Sequence, residues 1–130
     1  MTETQDQESG RGRTLAYWGC TAALAFIIGG GGVADIIQPD NVVEVMLHLG
    51  YPLYFAAMLG VWKILGGIAI AAPGFPRLKE WAYAGIVIDL VGAAVSHAAV
   101  GDPVFRIAFP LVLLGVAAVS YRLRPAGRRL

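Results

Sequence analysis

The stretch LAYWGCTAALAFIIGGGGVA, residues 15–34, carries no charged side chain and is apolar or small on every helical face. A helix of a soluble bundle keeps a polar stripe at helical spacing, and this one has none. It is long enough for a hydrocarbon core about 30 Å thick, which takes roughly 20 residues of helix. Three further windows match it: residues 53–72, charged only at Lys63, residues 81–100, charged only at Asp89, and residues 103–121, charged only at Arg106. The expected fold is an all-α integral membrane protein, a bundle of four transmembrane helices.

Composition agrees. Of 130 residues, 57% are hydrophobic and 15% charged, where a soluble domain carries about 25% charged residues. A formal net charge of +1 leaves no basic excess for a nucleic acid backbone. The single cysteine, Cys20, excludes an intrachain disulfide, a CxxC redox pair and a four-cysteine zinc site. Residues 1–13 lack large hydrophobes beyond Met1 and are expected to be a disordered polar tail. The membrane domain then runs over residues 14–122, and residues 123–130 form a basic C-terminal tail. The first span follows Arg11 and Arg13 but exceeds the roughly 7 to 15 residues of a signal peptide's apolar region, so it reads as an anchor.

Orientation follows from where the Lys and Arg residues lie. Arg11 and Arg13 precede span one, Arg77 and Lys79 lie between spans two and three, and Arg122, Arg124, Arg128 and Arg129 follow span four. With four spans these regions share one face. The opposite loops, residues 36–52 and 101–102, contain Asp40, Glu44 and Asp102 but no Lys or Arg. The positive-inside rule puts both termini in the cytoplasm.

The first of those outer loops has a structure of its own. In DNVVEVMLHLG, residues 40–50, Asp40, Glu44 and His48 recur every fourth residue among apolar neighbours, which stacks them on one helical face. The segment is too short to span and reads as an interfacial or re-entrant helix. Its polar face either meets water or closes over a site.

Charges inside the spans point to chemistry. Lys63 and Asp89 fall near mid-depth of adjacent antiparallel spans, joined by the short proline-rich turn APGFPRLKEW. Each alone costs about 2.5 to 3.5 kcal/mol at a helix centre, so they are expected to pair. Gly60, Gly66, Gly67, Gly85, Gly92 and Ala93 flank them and allow close helix approach. The pair is either a structural lock or a group that binds substrate and moves protons. A second polar group, Asp35, His97 and Arg106, is expected near the outer face, with Glu44 and His48 above it. Pro110 and Gly29 to Gly32 weaken the backbone beside it, and irregular backbone at membrane depth is tolerated where it lines a cavity. The expectation is an outward-opening pocket. Trp62 is too deep to be an interface anchor and is expected to line it. Glu44 and His48 have helical ligand spacing, but no set of donors converges on a metal.

The stretch YPLYFAAMLGVWKILGGIAI followed by PRLKEWAYAGIVIDLVGAAVSHAAVGD resembles the DoxX-like family of small four-helix bacterial membrane proteins. Trp62, Lys63, Gly66 and Gly67 carry the likeness in span two, and Asp89, Gly92, Ala93, His97 and Asp102 in and after span three. The resemblance implies the bacterial inner membrane. The family takes its name from subunits linked to thiosulfate:quinone oxidoreduction and terminal oxidase complexes. This chain has no haem, flavin or iron-sulfur signature, so a redox role would run through a bound quinone or a partner. Two readings follow. In one, a small hydrophobic molecule, quinone-like, polycyclic or terpenoid, sits in the pocket. Asp89, Lys63 and His97 then supply acid and base groups, and Asp35, Glu44, His48, Trp62 and Arg106 bind it. In the other, the chain is a non-catalytic subunit or scaffold, as a homo-oligomer or beside a membrane redox partner.

Overall fold

The structure is a computed structural model that describes residues 2–128. Met1, Arg129 and Leu130, at the ends of the two expected tails, lie outside the described residues. Five α-helices follow in order: α1 (Thr2–Ile37), α2 (Asp40–Leu49), α3 (Leu53–Ala71), α4 (Pro76–Ala99) and α5 (Val104–Arg122), then a 3-10 turn at Ala126–Arg128. Helices α1, α3, α4 and α5 are long and apolar enough to cross a membrane. The short α2 stands between the first two, as the Asp40, Glu44 and His48 spacing implies.

The breaks between helices have local causes. Gln38 takes a left-handed conformation (φ 57°) before Pro39, which ends α1 and starts α2. At the end of α2, Gly50 (φ 83°) donates its N–H to the Leu47 carbonyl while the Tyr51 N–H reaches Met46. This paired cap needs a residue in the left-handed region, where glycine has no Cβ penalty. The same cap closes α4: Gly101 (φ 75°) donates to Ala98 and Asp102 to His97. Pro52, Pro76 and Pro103 each sit at a helix start, where a missing N–H costs nothing.

Packing is asymmetric around α3. A Cβ built on Gly32 would meet the Gly60 carbonyl oxygen at 2.7 Å, and one on Gly60 would meet the Gly32 oxygen at 2.5 Å. Backbone therefore lies on backbone where α1 crosses α3. One heptad along, a Cβ on Gly67 would be 3.2 Å from the Ala25 oxygen. Such small-residue crossings hold membrane helices together by close contact where no hydrophobic driving force exists. α3 thus packs most extensively on α1, and α4 on α5. Spans two and three are joined through the short connection at residues 72–75, as expected of a tight hairpin, and pack on each other less extensively than either of those pairs. Where the four long helices meet, Leu24, Ile28, Ile70, Ile86, Leu90 and Leu113 form the core. Phe26, Ile68, Ile88 and Val112 point outward, as lipid contact requires.

Three sequence expectations differ from this structure. The polar tail over residues 2–13 continues α1 as an exposed helix, since adding turns to a formed helix costs far less than starting one. Gly29 to Gly32 and Pro110 do not interrupt α1 and α5, which run through them unbroken. The basic C-terminal segment is folded back against the bundle, with Arg124 and Arg128 buried.

Candidate functional site

Three ionisable groups meet at the centre of the bundle. Lys63 Nζ donates to Asp35 Oδ2 at 2.9 Å, and Asp89 Oδ2 lies 4.0 Å from the same nitrogen. The expected pairing of Lys63 with Asp89 is therefore the longer of two contacts. Asp35, assigned from sequence to the outer group, belongs here instead. The glycine crossing explains the shift: Gly60 lies so close to α1 that an added Cβ would be 3.1 Å from Asp35 Cβ. That places Asp35 one turn from Lys63. All three are largely buried, with side-chain exposures of 10%, 21% and 18% for Asp35, Lys63 and Asp89.

From Lys63 and Asp89 a groove of about 630 Å³ runs between α3 and α4 toward the loop that joins them. Its walls are almost wholly apolar, from Ile28, Leu59, Ile86 and Ile88 to Phe75 and Leu78 at the far end. Trp62 and Trp81 flank it, and both are well exposed on the lipid-facing side. Gly66 and Gly85, carrying no side chain, leave it open: nothing lies within 4 Å of a Cβ built on Gly85. Trp62 thus lines a cavity as its depth implies. The opening differs from expectation, being lateral and toward the basic end of the bundle rather than outward past α2. Asp89 and Lys63 line the groove whereas Asp35 does not, because Asp35 sits behind Lys63 on α1.

The α2 end holds a separate polar network. His48 Nε2 and His97 Nδ1 each donate to one oxygen of Asp102, both at 2.6 Å. The α4 cap sets this up, since the Asp102 N–H bonded to the His97 carbonyl stacks the two side chains. One carboxylate thereby ties α2 to the end of α4. The hydrogen bonds from His97 first and His48 second hold the Asp102 carboxyl below its ordinary range. Nearby, Ser96 donates to the Gly92 carbonyl and accepts from the Tyr51 hydroxyl at 2.6 Å. Glu44 and Arg106, expected in this cluster, are both exposed, and their side chains make no hydrogen bond or ion pair among the described residues.

The basic end holds a network not anticipated from sequence. Lys79, fully buried, donates to the carbonyls of Ala69 and Ala72. Arg128 reaches Ile70 at 3.0 Å, Ala71 at 3.1 Å and the Tyr17 hydroxyl at 3.2 Å. These two cations satisfy the orphan carbonyls at the end of α3, where the helix dipole favours positive charge. Arg124 pairs with Glu80 at 2.5 Å and lies over the Tyr121 ring. Above them Ser120 shares hydrogen bonds with Thr21 and Tyr83 at 2.6 and 2.7 Å. The hydroxyls at Thr21 and Ser120, small polar groups within apolar spans, were the available sequence signal.

In comparison with known families, a model of the DoxX-like family matches residues 19–120. No curated protein matches the chain, and no solved structure does.

Proposed function

The chain belongs to the DoxX-like family, and on that premise we propose that this multi-pass membrane protein binds a small hydrophobic molecule in the α3–α4 groove. The observation that carries the reading is the groove itself: apolar walls that end on Lys63 and Asp89. Binding sites combine a mostly apolar cleft of about 300 to 1,000 Å³ with a few polar groups that orient the ligand. A quinone-like, polycyclic or terpenoid body fits those walls. Its polar atom then faces Lys63 and Asp89, which supply hydrogen bonds and an exchangeable proton. His97 and His48 serve through Asp102, holding α2 in place rather than contacting the ligand. Basic residues at the termini and the α3–α4 loop support placement of that end in the cytoplasm of a bacterial inner membrane.

Decylubiquinone tests the reading, because quinones quench tryptophan emission. In a Trp18→Phe background the remaining tryptophans, Trp62 and Trp81, flank the groove. Saturable quenching that disappears in Gly85→Phe supports the site. Quenching that is unsaturable, or unchanged in Gly85→Phe, removes it.

A further inference from the structure

The head of the groove is electrically unbalanced. Two carboxylates, Asp35 and Asp89, share one ammonium, and Lys63 is closer to Asp35 by about 1 Å. Among the described residues, Lys63 is the one cationic side chain within 4.0 Å of either carboxylate. With all three groups ionised the cluster carries one net negative charge inside the bundle. An uncompensated buried charge is strongly unfavourable, so a proton or another cation must balance it. The geometry says where. Asp35 lies behind Lys63 and does not line the groove, while Asp89 does, as does Trp62.

We propose that the groove selects lipophilic cations, with a ligand ammonium replacing a proton on Asp89. This rests on the groove being a ligand site and names the chemistry of its ligand. In the empty site Asp89 is the neutral acid. When an alkylammonium enters, the carboxyl O–H gives its proton to solvent, and the carboxylate accepts the ligand's N–H. Charge is conserved, with one cation in and one proton out. The exposed indoles of Trp62 and Trp81 suit the same ligand, since aromatic faces attract cations. The apolar walls exclude hydrophilic ones.

The test uses two probes of nearly equal shape, 1-adamantanamine, a cation at neutral pH, and 1-adamantanol, neutral, with the protein in lipid nanodiscs. Tryptophan emission reads affinity, and a pH indicator in weakly buffered solution reads proton release. The wild type is expected to bind the amine about tenfold or more tightly than the alcohol, a difference of about 1.4 kcal/mol. One proton should leave per amine bound and none per alcohol. Asp89→Asn should bind both alike and release none. Equal affinities in the wild type, or amine binding without proton release, overturns the cation proposal, and the latter needs no variant to fold. Alcohol binding that Gly85→Phe abolishes would in that case still uphold the groove as a site. If neither probe binds, both readings fail together.

Discussion

Lys63 is bound to Asp35, 28 residues earlier in the chain, more closely than to Asp89 on the neighbouring span: 2.9 Å against 4.0 Å. The link joins α1 to α3 beside the glycine crossing, leaving Asp89 turned to the groove. On the proposed reading, structural and ligand-facing roles are divided between two carboxylates that share one lysine.

That division predicts unequal consequences. Lys63→Met strands the buried Asp35 carboxylate and should destabilise the protein by about 3 to 5 kcal/mol, the cost of breaking a buried pair. Asp35→Asn should come next and Asp89→Asn last. The Asp35→Asn, Lys63→Met double variant should recover much of the loss. Thermal unfolding in detergent gives the order, and a larger loss from Asp89→Asn than from Asp35→Asn would contradict the assignment.

The helix crossing makes a prediction with a built-in control. Gly32→Ala or Gly60→Ala drives a methyl into a backbone carbonyl, and overpacking of this kind costs about 1 to 3 kcal/mol. Gly85→Ala meets open space and should be neutral or slightly stabilising, because alanine favours helix. Unfolding temperatures of the three variants check this; equal values would place the crossing elsewhere.

The bracket at the α2 end should respond to acid in a definite direction. Asp102 has its carboxyl held below the usual range by His97 and His48, so its contribution is complete above the unfolded value near 4. It is lost only as pH falls through the lower, folded value. Hydrogen exchange should show α2 amides equally protected at pH 7 and pH 5 in the wild type. Asp102→Asn should expose them at both. Loss of wild-type protection already between pH 7 and pH 5 would mean that something other than this carboxylate holds α2.

The four spans were legible because hydropathy alone decides them, and α2 because three polar residues repeat at helical spacing. The partners inside the bundle were not. Sequence position gives depth only if helices run straight between matched ends. α1 instead crosses α3 at Gly32 and Gly60, bringing Asp35 level with the lysine's reach. The GGGG run looked like weakened backbone, yet Gly32 is the contact surface. In the sequence, Lys79 and Arg128 served only to set orientation. They are buried because the open carbonyls at the end of α3 need donors, a demand visible only once the chain folds back.

Topology is a separate expectation. With both termini at the basic end, a reporter joined after Leu130 should read cytoplasm and one inserted beside Asp40 should read the opposite compartment. The reverse result would invert the orientation while leaving the bundle intact.

The groove as a ligand site is tested most directly by mass spectrometry of solvent extracts. Wild type and Gly85→Phe would be purified from the same membranes, with bulk lipid subtracted. The wild type should yield a small hydrophobic molecule in near-equimolar amount, and the plugged variant should lack it. The same molecule in equal amount from both proteins, or none from the wild type, would contradict the account.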